Sequence, residues 1–245
     1  MASKRTPARS YPDLHDHLKA LDEAGLLVTV DREINKDTEM HPLVRWQFRG
    51  GIEEKDRKAF LFTNVVDSKG KKFDMPVAVG VLAANRQVYA LGMGCAVEDV
   101  EKRWTEAIAN PIPPKEISSD EAPCHEIIIE GANLDKPGNA LDAIPVPIST
   151  PGWDVGPVAT LTQYVTKDPD TGLQNMGNSR AQIKGPKRMG MNPSLELRPG
   201  IYIHWEKMKA RGEKLPAAVV LGAPSCVTFT AAQKLPENLE EITVA

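Results

Sequence analysis

The sequence predicts an α+β protein, with an α/β module over residues 1–115 followed by a β-rich module over residues 116–245. Three observations carry this reading. Helical and strand-like apolar patterns alternate through the first 110 residues; the proline cluster PIPPKE then interrupts them; beyond it, short apolar runs are separated by Gly, Pro and Asp turn chemistry.

Each element follows from the residues in order. DLHDHLKALDEA, residues 13–24, places Asp13 as N-cap, Leu14, Leu18 and Leu21 on one helical stripe and Gly25 as the stop. The strand LLVTVDREI comes next, then a helix over 41–49 (HPLVRWQFR) and buried strands at AFLFTNVV, 59–66, and MPVAVGVLA, 75–83. VEDVEKRWTEAIAN, 97–110, is a third helix, and the module boundary falls within 111–122. EIIIE at 126–130, PVATLTQYVTKD at 157–168, LQNMGNSRAQIKG at 173–185 and RMGM form the β-rich region. A helix from Ile201 to Arg211 stops at Gly212, and the strand AAVVLGA and a short helix within 224–233 follow. The last segment, LPENLEEITVA, reads as the start of a helix capped by Asn238.

Composition excludes several function classes. At 245 residues and 41% apolar content the chain can bury a core. Lys and Arg total 30 against 33 Asp and Glu, a formal charge of −3, and no basic stripe is interleaved with aromatics, which argues against a nucleic-acid partner. The basic opening, MASKRTPARSYP, leads into no apolar stretch, so it reads as neither signal peptide nor anchor. No run approaches the roughly 18 apolar residues of a membrane helix, and the expected address is the cytoplasm. Cys95, Cys124 and Cys226 are far apart and odd in number, as separate reduced thiols would be.

The segment 173–185 stands out because a strand there carries two asparagines, a glycine, a serine and an arginine within six positions. Strict alternation puts Asn175, Gly177 and Ser179 on one face and Asn178, Arg180 and Gln182 on the other, so both faces are polar. Composition alone favours an edge strand with a solvated face. The alternative is a metal-bridged anion site: a carboxamide oxygen suits a hard cation, a guanidinium suits a carboxylate or phosphate, and Gly177 lets the backbone bend so that Asn175 and Arg180 converge. Other clusters carry less. His15 and His17 lie two apart on a helix and read as surface residues; Cys124 and His125, adjacent on a strand, point to opposite faces. Glu237, Glu240 and Glu241 sit at a helix start, where carboxylates ordinarily serve the dipole and cap. The sequence contains no P-loop, no GxGxxG after a strand, no HExxH and no GxSxG.

From NMGNSR outward, the order of motifs resembles the UbiD family of prenylated-flavin-dependent decarboxylases. The likeness begins at YPDLHDHLKALDEAGLLVTVDREI, passes through YALGMG, AIPVPISTPGWDVGP and QNMGNSRAQIKGPKRMGM, and closes with KLPAAVVLGAPSC and KLPENLEEITVA. The resemblance implies a split β-barrel flavin-binding module like that of flavin reductases, incomplete at its C-terminus. It implies prenylated FMN held through its phosphate by a divalent ion, Mn2+ in most members, with a monovalent ion such as K+ nearby. On the match, Asn175 and Glu241 are metal ligands; Asn178, Ser179 and Arg180 contact the cofactor, and Arg180 also holds the substrate carboxylate. Asn192, Pro193, Ser194, Leu197 and Arg198 line the flavin. Where the family has a histidine as third ligand, counting from Met191 without a gap gives Glu196; a one-residue gap gives Leu197. A glutamate oxygen is an acceptable hard ligand, and a second carboxylate sharpens the demand for a divalent ion.

The family's chains continue well beyond this length, and its proton-donating acid lies in that further part. The implied activity is reversible, non-oxidative decarboxylation of an aromatic or α,β-unsaturated carboxylic acid, in a homo-oligomer or with a companion subunit, with a flavin prenyltransferase as cofactor source. The alternatives are a split or non-catalytic flavin-binding homologue that needs a partner's acid, and a binding protein without flavin.

Overall fold

The computed structural model describes residues 13–236 and 238–245. The basic opening segment and Glu237 lie outside the described residues. Helix α1 (Leu14–Glu23) starts where Asp13 accepts the Asp16 N–H at 3.0 Å while the Asp16 carboxylate accepts the Asp13 N–H at 2.9 Å. This reciprocal cap satisfies donors that a bare helix end leaves open, and Gly25, at φ +67°, turns the chain out.

The elements that follow are β1 (Leu27–Val30), β2 (Ile34–Asn35), α2 (Met40–Arg49), β3 (Ala59–Phe62), β4 (Val65–Val66), β5 (Lys72–Phe73), β6 (Val77–Val79), α3 (Arg86–Gly92) and α4 (Val100–Ala109). Of the three strands expected here, LLVTVDREI and AFLFTNVV are each divided, and only Val77–Val79 of MPVAVGVLA forms a strand. β1 pairs parallel with β3 and β3 antiparallel with β6, whereas β2 pairs parallel with β4 and β4 antiparallel with β5. The chain crosses between the two sheets at Asp31–Glu33 and again at Thr63–Asn64, held by Thr63 N–H donating to Val30 O and Ile34 N–H to Asn64 O. The first sheet is packed on both faces: Leu21, Leu26, Ala59, Val81, Ala84 and Val88 form one core, and Phe62 joins Ile34, Met40, Val44 and Val65 in a second core shared with the β2-β4-β5 sheet. His15 is exposed as expected, but His17 is not on the surface. It shares the inward stripe of α1 with Leu21, and its Nε2 lies 2.6 Å from the Val81 carbonyl.

Residues 119–143 form short 3-10 turns, and EIIIE at 126–130 forms no strand. Its apolar run satisfies strand chemistry, but no described strand lies alongside to complete a ladder. Cys124 and His125 consequently sit in a 3-10 turn, with His125 Nδ1 2.9 Å from Ser119 Oγ.

The remaining elements are β7 (Val158–Ala159), β8 (Gln163–Lys167), β9 (Gln174–Asn178), β10 (Ala181–Gly185), β11 (Arg188–Met191), α5 (Gly200–Ala210), β12 (Ala218–Val220), α6 (Ser225–Thr230) and α7 (Glu241–Val244). Their sheets run β12-β8-β9 and β11-β10-β7, and these strands pair with none of β1–β6. The described strands close no barrel. Gln163 pairs with Asn178 and Ala159 with Ala181, so three residues, 160–162, oppose two, 179–180. The two sheets are thus one long antiparallel pair bent by a single extra residue. Tyr164, Ala181 and Ile201 make a smaller core beneath α5. Glu240, not Asn238, occupies the cap position of α7, because the carboxylates around it are drawn onto β9.

Candidate functional site

Strand β9 lies at the edge of its sheet. An edge strand has unpaired N–H groups, and here the C-terminal segment covers them. Gln174 N–H donates to Glu240 Oε1 at 2.5 Å, Met176 N–H to Glu241 Oε2 at 2.8 Å and Asn178 N–H to the Ala231 carbonyl at 2.8 Å.

Glu241 is only 7% exposed and makes no salt bridge among the described residues. Burial pushes its pKa up, against the pull of the Met176 and Glu241 N–H groups and the Asn175 amide; the neighbouring Glu240 charge adds to the rise. The Asn175 amide donates to Glu241 Oε1 at 2.8 Å, while Asn175 Oδ1 is buried without a partner. Gly200, the first residue of α5, makes room for this pair: a Cβ there would lie 2.6 Å from Asn175 Oδ1. A buried carboxylate lacking a counter-charge beside an orphaned carboxamide oxygen is a donor set that fits a hard divalent cation. Such an ion would offset both deficits at once.

Beyond Asn178 the strand bends. Ser179 N–H donates to the Thr162 carbonyl at 3.1 Å, and the Thr162 hydroxyl donates back to the Ser179 carbonyl. Asn178 gives one amide hydrogen to Thr160 O at 3.4 Å and keeps a buried, unpartnered Oδ1. Arg180 stands at the bend, exposed, with no hydrogen bond or ion pair among the described residues. Asn175, Asn178, Ser179, Arg180 and Glu241 therefore lie along one strand, the bend that follows it and its cover, with the Asn175–Glu241 pair at one end and a free guanidinium at the other.

Residues 192–198 form the approach to α5. Asn192 is exposed, and Pro193 and Ser194 are half-buried. Ser194 Oγ accepts the Leu197 N–H at 3.2 Å and the Ser194 carbonyl accepts the Arg198 N–H at 3.1 Å. Arg198, at φ +42°, pairs with Glu206 at 2.7 Å and lies over the Tyr202 ring. Leu197 and Glu196 are exposed, and no hydrogen bond links Glu196 to Asn175 or Glu241. Among the described residues no three His, Cys, Asp or Glu side chains converge as a metal cluster.

Sequence reasoning missed Thr162, Gln163, Gly200 and Glu240. Gln163 is fully buried with neither amide atom partnered, directly across from Asn178. A glutamine inside the strand-forming run TLTQYVT was the available signal for it. A cavity of about 250 Å³ lies beside the bend, walled by Leu82, Tyr89, Gly92, Leu161, Ser225 and Phe229. Farther along β8 and α5 the charges are structural: the Lys207 ammonium on Asp168, at 2.6 Å, holds that carboxyl down at about 2 despite its burial. No helix among the described residues is long and apolar enough to cross a membrane.

Comparison with known proteins adds the following. The family model of the 3-octaprenyl-4-hydroxybenzoate carboxy-lyase N-terminal domain matches residues 18–108, and that of the Rift-related domain matches residues 115–245. The uncharacterized protein sll0936 of Synechocystis sp. is 30% identical over 251 residues, covering 94% of this chain and 46% of that protein. An evolved dimeric form of the UbiD-class enzyme HmfF from Pelotomaculum thermopropionicum, in complex with prFMN, superimposes with a TM-score of 0.78 at 26% identity over 95% of this chain and 49% of its own. The closed form of the Sedimentibacter hydroxybenzoicus vanillic acid decarboxylase gives 0.79 at 25% identity, over 97% of this chain and 48% of its own. The chain spans about half the length of these relatives.

Proposed function

Because the chain belongs to the UbiD family of carboxy-lyases, we propose that it carries the flavin- and metal-binding portion of a prenylated-FMN-dependent decarboxylase acting on an aromatic or α,β-unsaturated carboxylic acid. The observation that carries this reading is the buried Asn175–Glu241 pair, short of one positive charge, on the strand that ends in the unpaired Arg180. Asn175 and Glu241, with Glu196 as third ligand, would hold a divalent ion, Mn2+, whose charge would neutralise the flavin phosphate, with K+ as a second cation. Asn178, Ser179, Arg180, Asn192, Pro193, Ser194, Leu197 and Arg198 would contact the cofactor. Prenylated FMN supplies the electron sink that lets the carboxyl group leave as carbon dioxide. Arg180 orients the substrate carboxylate through its guanidinium fork, and an acid from outside this span returns the proton to the product carbon.

Residues 1–115 form one domain and residues 116–245 a flavin-reductase-like split barrel in part; strands pairing only within each region support the division. The bulged pair, flanked by β12 on one sheet and β11 on the other, is the bend that such a barrel uses to turn a corner. The address proposed is the cytoplasm, the cofactor source a flavin prenyltransferase, and the assembly a homo-oligomer or a complex with a companion subunit. The second reading, compatible with the same family match but not favoured over the first, is a split or non-catalytic flavin-binding subunit whose partner brings the acid. Co-expression with a flavin prenyltransferase, followed by native mass spectrometry and a carbon dioxide assay over a panel of aromatic and unsaturated acids, tests both. Bound flavin and metal supports the first reading, with turnover only where the acid from outside this span is present in the same polypeptide; turnover restored only by a separate companion chain supports the second, and a bare protein neither.

A further inference from the structure

Among the described residues, the run Ile127, Ile128 and Ile129 between Glu126 and Glu130 is three consecutive exposed aliphatic side chains, with exposures of 79%, 62% and 39%. Three consecutive β-branched residues favour strand geometry over every other backbone state. Their backbone is equally unspent: the N–H groups of residues 127–130 donate no hydrogen bond among the described residues. Nearly all of residues 111–139 is exposed with them, including Ile112 and Ile117. A soluble domain does not keep such a surface against water, since an open apolar strand is a template for pairing.

We infer that residues 126–130 are a docking strand, completed by β-addition from the polypeptide that makes up the remaining half of the UbiD fold. This rests on the family reading and names the surface where the two halves meet. Three observations favour that occupant. The relatives run to about twice the span of this chain, so a second body of comparable size belongs to the same fold. Ile127 and Ile129 project to one side of a strand and Ile128 to the other, so an added ladder buries apolar groups on both faces, as a strand inside a sheet requires and a rim contact does not. The segment also leads directly into residues 131–143, where the Leu141 N–H is bonded to the Pro186 carbonyl of the β10–β11 hairpin. The added strand would thus extend the β-rich region that holds the flavin site.

The test mixes this chain with the half of the Synechocystis relative that it does not match, and reads hydrogen exchange of the amides at 127–129 alongside size-exclusion chromatography. Alone, those amides are expected to exchange near the free-peptide rate; in the mixture the ones that face the added strand, either 127 and 129 or 128, should slow by at least about 100-fold, as amides in a ladder do. Ile128→Pro, which puts a proline at the centre of the strand, should abolish the complex while leaving the melting temperature of this chain unchanged. A complex with fast amides at 127–129, a complex indifferent to Ile128→Pro, or no complex at all overturns the inference. Protection that appears with this chain alone and grows with its concentration assigns the strand to a second copy and overturns it too. Because none of these readouts involves flavin or turnover, failure here is distinct from failure of the decarboxylase reading.

Discussion

Two buried glutamines mark the difference between the two regions of the molecule. Gln47, on α2, spends its whole amide: Nε2 donates to the Lys58 carbonyl at 2.9 Å and Oε1 accepts the Lys58 N–H at 2.8 Å. Gln163, on β8, spends none. The contrast is general. The buried polar residues among β1–β6 and α1–α4 are His17, Lys36, Gln47 and Asn85, and each is partnered. Among the described residues, every buried side-chain polar atom without a partner belongs to Ser149, Gln163, Asn175, Asn178 or Ser225. Desolvating such a group without a bond costs about 1–3 kcal/mol. The first region, with its two apolar cores, is organised for stability; the second keeps polar capacity in reserve, which is what a ligand site does.

The contrast can be broken at several points. Arg180→Ala should lower carbon dioxide release by about 100-fold or more while leaving bound flavin unchanged by absorbance, because it removes the carboxylate clamp and no packing. Full activity would take the arginine out of the mechanism. Gly200→Ala should weaken manganese binding about tenfold or more, since its Cβ displaces the Asn175 side chain, with little loss of helix because alanine is the better helix former. Unaltered metal affinity would mean that Asn175 is not a ligand. Gln47→Leu and Gln163→Leu sharpen the comparison itself. The first should cost about 1–3 kcal/mol in urea unfolding by stranding both Lys58 backbone groups; the second should be neutral or stabilising, because it removes two groups that bond to nothing. Equal losses would erase the distinction.

The smallest effect concerns acid. The Asp168 carboxyl is depressed to about 2 by Lys207, so the folded state holds its proton less tightly than the unfolded chain does. Its contribution is full above the ordinary carboxylate range near 4 and is lost as pH falls toward 2. Asp168→Asn should cost about 1 kcal/mol at neutral pH, and the deficit relative to wild type should vanish at the acid end of that window.

Much of the fold was legible where the signal is local. Asp13, the leucine stripe and Gly25 define α1 within a dozen residues. The division of LLVTVDREI and AFLFTNVV between two sheets was not legible, because strand pairing is decided by segments far apart in sequence. EIIIE shows the converse: its strand chemistry is plain, and the structure gives it nothing to pair with. At the site, NMGNSR announced itself by carrying polar residues on both faces. Glu241 did not, since a carboxylate at a helix start ordinarily serves that helix; its bonds to Asn175 and Met176 reach back across more than sixty residues. Glu196 came only from the family register, and its exposed position in the turn before α5 gives it no tie to the pair.

The central claim is that Asn175 and Glu241 are an anion–carboxamide pair built around a cation. Manganese titration of the intact chain against Glu241→Gln, followed calorimetrically and by metal analysis after dialysis, tests it most directly. The glutamine keeps the shape and an acceptor for the Met176 N–H, so the fold should persist while metal binding falls by about 100-fold or more. Equal manganese content in the two proteins would contradict the account and return the pair to an edge-strand clamp.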